Sequence, residues 1–370
     1  MVLNQKELEF WLATILSIGP VKTKQLLEYF ETEEEIYKAE KTSLLEVEGI
    51  TEKIAEDIIK SRVSAEIQKK YENICEKGIQ LVSIHDTIYP NKLRDISKNP
   101  YALFVRGELP EESRVSIAIV GARNCSIYGK EMAYWFGKSL SNAGIQVISG
   151  LALGIDGFAH KGALEGRTHT YGILGCGIDI CYPRENFDLY MSMQKKGGII
   201  SEYGPGIPGR SFQFPMRNRI ISGLCDGVLV VEARERSGSL ITADLGLEQG
   251  KEIFAVPGRI GDKLSEGCNN LVKMGAEIVQ SPKDILNNFH INQISERNQL
   301  KRNHVPLDSM EQKVYANLSL IPKHLDEILR ETNLIMSDVI GILLKLELKG
   351  FVRQTAQNYY VQSYNNRNFD

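Results

Sequence analysis

The sequence has no long hydrophobic run, and this lack bears on its location. None of its apolar segments approaches the length needed to cross a bilayer, and residues 1–7 lack the basic and apolar regions of a signal peptide. We therefore expect a cytoplasmic protein that does not enter a membrane. Cysteine is also scarce, with six residues, no CxxC pair and no accompanying histidine cluster. This pattern indicates reduced thiols and no metal site.

An excess of positive charge is missing too. The net charge is −3 over 370 residues; residues 1–80 carry 11 basic and 16 acidic side chains, whereas residues 81–290 carry 23 and 22 and residues 291–370 carry 10 and 9. Bulk charge therefore does not indicate a nucleic-acid-binding protein. Any site for an anion has to be a local cluster of residues.

What is present is enough sequence for two or three domains. Residues 1–75 show helical periodicity, and Ile18-Gly19-Pro20 and Val47-Glu48-Gly49 each precede a new predicted helix. This pattern is similar to a tandem helix-hairpin-helix, whose turns can bind a nucleic-acid phosphate. The alternative is a small helical interaction domain, which the acidic balance of this segment favours.

Residues 76–286 alternate short β-rich runs with amphipathic segments. Strands separated by helices predict an α/β domain with an extended Rossmann-like, doubly wound and mostly parallel sheet. The strands are predicted at 116–120, 147–149, 169–174, 198–201, 228–232 and 253–256, with helices such as 129–142 and 240–249 between them.

The remaining residues predict a linker and a third domain. Residues 287–305 are rich in Asn, Gln and charge, which is typical of a linker. Residues 306–370 show helical periodicity followed by a predicted β-hairpin, a pattern that looks like a winged helix.

Several predicted strands end in loops suited to an anion. In a doubly wound sheet, ligands bind outside the carboxyl ends of the strands, and glycines there leave backbone N–H groups free to point at a ligand. The segment Phe214–Gly223 adds two arginines and an asparagine at the start of an apolar helix, where the helix dipole favours an anion. We expect one shared phosphate site built from Gly121, Ala122, Arg123, Ser149, Gly150, Gly154, Gly175, Gly177, Arg217, Asn218, Arg219, Ser237, Gly238 and Ser239.

Three other residues allow two interpretations each. Asp156 and His160 share one helical face and are either an acid/base pair or structural, with Asp156 capping the helix and His160 bound to a loop. Glu232 follows a strand and is either catalytic or paired with an arginine. We favour the structural alternatives, because no nucleophile or metal motif accompanies these residues.

Three aromatic residues lie near the arginines in sequence. Tyr203, Phe212 and Phe214 are positioned either to stack on bases or to fill the core, and we favour the core.

Taken in order, these motifs resemble DNA-processing protein A, the DprA or Smf family. The match covers about residues 80–285 and rests on Gly121-Ala122-Arg123, 149–160, Leu174-Gly175-Cys176-Gly177 with the following 178–183, Ser201-Glu202-Tyr203, 214–223, 237–242 and Val256-Pro257-Gly258. The family commonly has serine or threonine where this sequence has Ala122, which removes a hydroxyl donor but keeps the cation of Arg123.

The resemblance implies a function. It implies a homodimer that binds single-stranded DNA cooperatively, protects incoming strands and loads the RecA recombinase in natural transformation. It also implies that Arg123, Arg217 and Arg219 face the DNA, with the glycine loops at residues 150, 154, 175 and 238 as pocket walls. No catalytic residue and no cofactor is expected, and the missing GxGxxG fingerprint makes an NAD site a poor fit.

Two other functions compete with this one. The core also looks like the lysine-decarboxylase-like phosphoribohydrolases, but residues 237–244 lack that family's glycine pair and place no glutamate close behind Thr242. A duplex-DNA regulator would use the winged helix as its reader, but the candidate recognition helix near 337–349 is mostly apolar. A protein-docking role fits that helix equally well.

Overall fold

The computed structural model describes residues 2–291, 307–319 and 321–362. The chain forms two compact units, Met1–Ile291 and Asn292–Asp370, each of which is described here by itself. Across the described residues, no helix is long and apolar enough to span a bilayer.

The first unit begins with a helical region. Its helices are α1 (Gln5–Thr14), α2 (Pro20–Phe30), α3 (Glu33–Lys38), α4 (Lys41–Glu46), α5 (Glu52–Lys60) and α6 (Ser64–Glu76). Asn4 and Glu7 form a capping box at the start of α1. Gly19 precedes Pro20 at the first position of α2, and the hydroxyl of Thr51 accepts the Ile54 N–H at the start of α5.

A nine-stranded sheet forms the centre of the first unit. Its strands are β1 (Gln80–Ser83), β2 (Ala102–Gly107), β3 (Ser116–Val120), β4 (Gln146–Ser149), β5 (Thr170–Leu174), β6 (Gly197–Ser201), β7 (Gly227–Val230), β8 (Glu252–Ala255) and β9 (Glu277–Ile278). The order is β1-β2-β6-β5-β4-β3-β7-β8-β9. Strands β3 to β9 pair in parallel, whereas β1 with β2 and β2 with β6 pair antiparallel.

Helices connect the strands and cover the sheet. They are α7 (Asn91–Arg94), α8 (Ile127–Asn142), α9 (Ile155–Leu164), α10 (Phe187–Met193), α11 (Gln213–Leu224), α12 (Gly238–Glu248), α13 (Glu266–Lys273) and α14 (Pro282–Asn288). Strands β3 to β7 are buried at every residue, as expected for a parallel sheet covered on both faces. The predicted doubly wound sheet is confirmed.

The chain changes direction at β3. From β3 it runs outward through β4, β5 and β6, then returns to the other side of β3 with β7. Such a switch point leaves a crevice at the carboxyl ends of the strands. The candidate site lies in that crevice.

The helical region and the sheet share one hydrophobic core. The rings of Phe10 in α1 and Phe104 in β2 are 6.2 Å apart, and the Tyr101 hydroxyl donates a 2.7 Å hydrogen bond to the Glu33 carboxylate. The predicted border after residue 75 coincides with the end of α6 at Glu76. Separate folding of residues 1–75 stays a prediction, because these contacts join the region to the sheet.

The second unit has the element order of a winged helix. Helix α15 (Ser309–Ala316) is followed by β10 (Lys323–His324), α16 (Leu325–Thr332), α17 (Met336–Leu348) and the hairpin of β11 (Val352–Ala356) and β12 (Tyr359–Gln362). Its core contains predicted apolar positions such as Val314, Ile328 and Leu343. The predicted linker, 287–305, begins too early, because α14 continues through Asn288; residues 292–305 lie outside the described residues.

Candidate functional site

The crevice at the switch point holds a cavity of about 530 Å³. Loops after β3, β4 and β7 and the first turns of α11 and α12 form its walls. Of the predicted site residues, it is lined by Gly121, Arg123, Arg217, Asn218, Ser237, Gly238 and Ser239. Gly150 lines a smaller adjoining cavity together with Arg123 and Arg217.

Arg123 is the exposed cation of this cavity. Its guanidinium carbon lies 5.4 Å from the centre of the Phe214 ring, in cation–π geometry. The Tyr182 ring lies 5.4 Å from the Phe214 ring at an interplanar angle of 28°, and Tyr182 is 49% exposed. A positive charge and a pair of stacked aromatic rings therefore face the same space.

The backbone on either side of Arg123 is fixed by Glu232. The Ala122 N–H donates to the Glu232 carbonyl (2.7 Å). The Ser126 N–H and hydroxyl donate to the Glu232 carboxylate at 2.8 and 2.5 Å. The prediction that Glu232 pairs with an arginine was wrong. Its carboxylate instead binds Ser126, the N-cap residue of α8.

Arg217 forms the floor of the cavity and is buried. Its guanidinium donates to the carbonyls of Gly150 (2.9 Å) and Ile173. Burial lowers the pKa of Arg217 to about 10, and the negative charge of Asp156 partly opposes this effect. The guanidinium therefore stays charged at neutral pH. Arg217 thus holds the loop after β4 against β5 as well as lining the site.

Asp156 and His160 both contact the protein itself. The Asp156 carboxylate accepts the Gly150 N–H at 3.0 Å, and its burial raises its pKa. His160 Nδ1 lies 2.8 Å from the Thr170 hydroxyl, which itself donates to the Val147 carbonyl, so Nδ1 carries the proton. These are structural roles, although Asp156 bonds the preceding loop instead of capping α9 and His160 reaches the start of β5.

The start of α12 forms the opposite wall. The Ser237 hydroxyl accepts the Ser239 N–H (3.4 Å) and lies 2.8 Å from the Ser239 hydroxyl. The Asn218 amide donates to the Gly238 carbonyl (3.3 Å), which links α11 to this turn. The positive end of the α12 helix dipole favours an anion at this wall.

Two glycines bring the walls together. A Cβ at Gly121 would lie 2.6 Å from Ile155 Cγ1 and 2.8 Å from the Glu232 carbonyl. Gly154 has φ +74°, and a Cβ there would overlap the carbonyl oxygens of Ala122 and Arg123. The loops after β3 and β4 therefore pack backbone to backbone, which only glycine allows.

Four predicted residues lie behind the cavity walls. Ala122 is buried, the Ser149 hydroxyl donates to the Ile119 carbonyl, Gly175 packs beneath Phe214, and Gly177 donates its N–H to the Ile207 carbonyl. They shape the site from outside it.

Arg219 is not brought to this cavity. It lies two positions further along α11 than Arg217 and lines a second cavity. Its guanidinium donates to both oxygens of the Glu202 carboxylate at 2.7 and 2.6 Å. The Arg219 side chain is 5% exposed. The structure does not support the expectation that both arginines of this motif share one site.

The three aromatic residues near the arginines do not all fill the core, as the sequence analysis favoured. Phe214 lines the cavity and Phe212 is 60% exposed, so neither is a core residue. Tyr203 lines a different, apolar cavity, and burial raises its pKa to about 12. Tyr182 was missed, because it lies 32 positions before Phe214 in the sequence and no strand end marks it.

The sequence matches three known families. The matches are to DNA recombination-mediator protein A over residues 80–290, the DprA winged helix domain over residues 299–358 and a SAM-like helix-hairpin-helix tandem over residues 12–62. The three segments correspond to the sheet, the second unit and the helical region.

Individual proteins show the same similarity. Protein Smf of Synechocystis is 32% identical over 385 residues, covering 94% of this chain and 97% of that protein. Protein Smf of Escherichia coli is 45% identical over 210 residues, covering 56% of each chain. The match therefore spans only about half of the Escherichia coli protein.

Two solved structures are also similar. The X-ray structure of DprA from Streptococcus pneumoniae has a TM-score of 0.66 at 34% identity, covering 78% of this chain and 98% of that one. A Helicobacter pylori DprA structure, described for its mode of binding single-stranded DNA, has a TM-score of 0.51 at 26% identity, covering 57% and 96%. The chain belongs to the DNA recombination-mediator protein A family, known as DprA or Smf.

Proposed function

We propose that this protein binds single-stranded DNA in the cavity at the switch point. The observation that carries the proposal is the grouping of Arg123, Phe214 and Tyr182 around one space. Single-strand binding combines cations for the backbone with aromatic faces for unpaired bases. The single-stranded DNA binding described for the Helicobacter pylori DprA supports the same class of ligand for this relative.

The cavity is suited to one nucleotide unit. Its volume of about 530 Å³ lies within the range of small-ligand pockets. A phosphate fits between Arg123 and the first turn of α12, where Ser237, Gly238 and Ser239 line the cavity and the helix dipole favours an anion. A base fits on the exposed face of Tyr182.

The proposal extends to the biological role implied by the family. The protein protects incoming single strands and loads RecA on them during natural transformation or recombination, as a homodimer in the cytoplasm. Curated relatives in Streptococcus pneumoniae and Bacillus subtilis carry the name DNA processing protein DprA. Binding to DNA without chemistry on it is part of this proposal.

The charges of the cavity favour binding over catalysis. Among the described residues that line it, the one carboxylate is Asp156, which is buried beside Arg217 and accepts a backbone N–H. The Glu232 carboxylate accepts hydrogen bonds from the Ser126 N–H and hydroxyl. A phosphoribohydrolase would release free base from a nucleoside monophosphate, and detecting that release would sink the non-enzymatic proposal.

Equilibrium binding to single- and double-stranded oligonucleotides of one sequence, across a salt series, tests the proposal. We expect tighter binding to the single strand, with affinity that falls as salt rises. Arg123→Ala should weaken it about tenfold and reduce the salt slope by about 0.7, the value for one phosphate contact of a single strand.

Arg114→Ala is the matched control. Arg114 is an exposed arginine just before β3, at the amino end of that strand and so away from the cavity. It pairs with Glu111 at 2.7 Å. Its loss should leave binding unchanged.

A second variant, Phe214→Ala, should weaken binding but keep the wild-type salt slope, because stacking releases no counterions. Equal affinity for duplex and single strand, or no effect of Arg123→Ala in a folded protein, would refute the assignment.

A further inference from the structure

The second cavity, which Arg219 lines, lies beside the cavity at the switch point. Its volume is about 430 Å³, close to that of the first cavity. Pro215 lines both cavities, Met216 lines the second, and both residues are exposed at the start of α11. The two cavities are therefore neighbours on one surface, separated by a ridge at Pro215.

The base of the second cavity contains polar atoms without partners. The Arg219 side chain is 5% exposed, and its Nη2 pairs with Glu202. Its Nε and Nη1 have no hydrogen-bond partner among the described residues. Gln249 donates to the Arg219 carbonyl at 3.3 Å, but its own Oε1 is buried and likewise unpartnered in the described part of the chain. Buried polar atoms are normally satisfied, so these groups mark a polar site instead of a gap in the apolar core.

Two lysines bring further positive charge to this cavity. Of the four cations that line it, Arg219 and Lys92 already bind carboxylates. Lys98 lies in the loop after α7 and Lys251 lies just before β8, and neither has an ion pair within the described residues. Lysine binds phosphate as a compact point charge. The second cavity therefore has two cations available for a backbone phosphate.

The rest of the lining suits a base. Asp95 and Glu248 place carboxylate acceptors in the same cavity. These would repel a phosphate alone, but carboxylates accept hydrogen bonds from the amino group of a base such as cytosine. Ile96, Met216 and Leu245 add apolar surface. Cations, acceptors and apolar surface in one cavity match the parts of a nucleotide.

We propose that the second cavity binds a further nucleotide of the strand held at the switch point, with its phosphate on the two unpaired lysines and its base beside the two carboxylates. The inference rests on the proposed function and extends it, because it gives the bound strand a path over the ridge. Ser239 in the first cavity and Glu248 in the second are nine residues apart on α12, which is about 14 Å. A strand has to be longer than one nucleotide to fill both cavities.

Affinity measured against strand length tests this inference. The probes are dCMP and oligodeoxycytidylates of increasing length, because cytosine carries an amino group that the carboxylates can accept. We expect wild-type affinity to rise about tenfold at the length that reaches the second cavity. The double variant Lys98→Ala, Lys251→Ala should lose this rise and keep the wild-type affinity for the shortest strands.

Two matched variants separate the effect of charge from other effects. Lys98→Arg, Lys251→Arg keeps both charges and should keep the rise in affinity. Lys283→Ala removes an exposed lysine of α14, a helix that packs on α8. Lys283 lines neither cavity, so its loss should leave the affinities for short and long strands unchanged. Circular dichroism verifies that each variant is folded.

Two results would overturn the inference. They are a wild-type length dependence in the folded Lys98→Ala, Lys251→Ala variant, and no rise with length in the wild type. If dCMP binding depends on the two lysines in the second case, the cavity is a site for a free nucleotide and not part of the path of the strand. Failure of the proposed function looks different, because strands of every length would then bind without dependence on Arg123 or would not bind at all.

Discussion

Two arginines separated by one residue have different roles in this protein. Arg217 turns under the cavity and Arg219 turns away from it, because successive residues on a helix are about 100° apart. The sequence predicted both as DNA contacts. It could not show that Glu202, which follows β6, is placed to pair with Arg219.

Arg219→Ala should therefore affect stability more than binding. It would leave Glu202, only 17% exposed, without its partner, at a cost of about 3 kcal/mol in the free energy of unfolding. The double variant Arg219→Ala, Glu202→Gln should be less destabilised. Urea unfolding and single-strand binding measured on both variants check this, and weak binding by a fully stable Arg219→Ala would restore the original assignment.

His160 gives the protein a defined response to acid. Burial lowers the pKa of His160 to about 3, and the positive charge of Arg217 acts in the same direction. A histidine in an unfolded chain has a pKa of about 6.5. Between these values the unfolded chain binds a proton that the folded chain does not. This residue's contribution to stability is therefore lost as the pH falls from about 6.5 to about 3, with a slope of up to about 1.4 kcal/mol per pH unit.

Replacing His160 with glutamine should remove this part of the pH dependence. Unfolding free energies of wild type and His160→Gln, measured from pH 7 to pH 4, should converge as the pH falls. Parallel curves would mean that His160 takes up its proton equally in both states.

At the scale of elements, the regular segments and the loops that meet at one end of the strands were predictable, whereas the contacts between distant loops were not. In an alternating α/β pattern, apolar runs such as Ser116–Val120 are readily identified as buried strands. The ends of these strands then predict which loops meet at the carboxyl ends of the sheet. The placement of Tyr182 and the link between Glu232 and Ser126 depend on contacts across distant parts of the chain. No local pattern encodes those contacts.

The contact between the loops after β3 and β4 makes Gly154 a sensitive position. Gly154→Ala would force the Ala122 and Arg123 carbonyls away and move Arg123, so we expect at least tenfold weaker single-strand binding. Gly144→Ala is the control, since Gly144 also has a positive φ (+94°) but open space around it. It should cost about 1–2 kcal/mol of stability without changing affinity. Equal affinities in the two variants would contradict this role for Gly154.

At the scale of the whole molecule, the helical region and the sheet should unfold together. The chain has two tryptophans, Trp11 in α1 and Trp135 in α8. Trp11 is buried, and the neighbouring Phe10 packs on Phe104 of the sheet. With each tryptophan replaced by phenylalanine in turn, the remaining one reports on its own region.

Fluorescence of the two variants during urea unfolding should show coincident transitions for residues 2–291. An earlier transition for Trp11 would instead establish the separate N-terminal domain that the sequence predicts. Both variants should be measured at equal protein concentration, so that self-association contributes equally.

The double attachment of the Arg123 segment to Glu232 has a consequence for kinetics. With Ala122 and Ser126 both held by one residue of the loop after β7, the motion left to Arg123 is mainly that of its side chain. Much of the ordering that a flexible loop would undergo on capturing a ligand is already complete when the chain folds. Preorganisation of this kind slows departure of the ligand. Loosening Glu232 should therefore shorten the residence time of the strand while leaving its rate of arrival, which depends on charge, nearly the same.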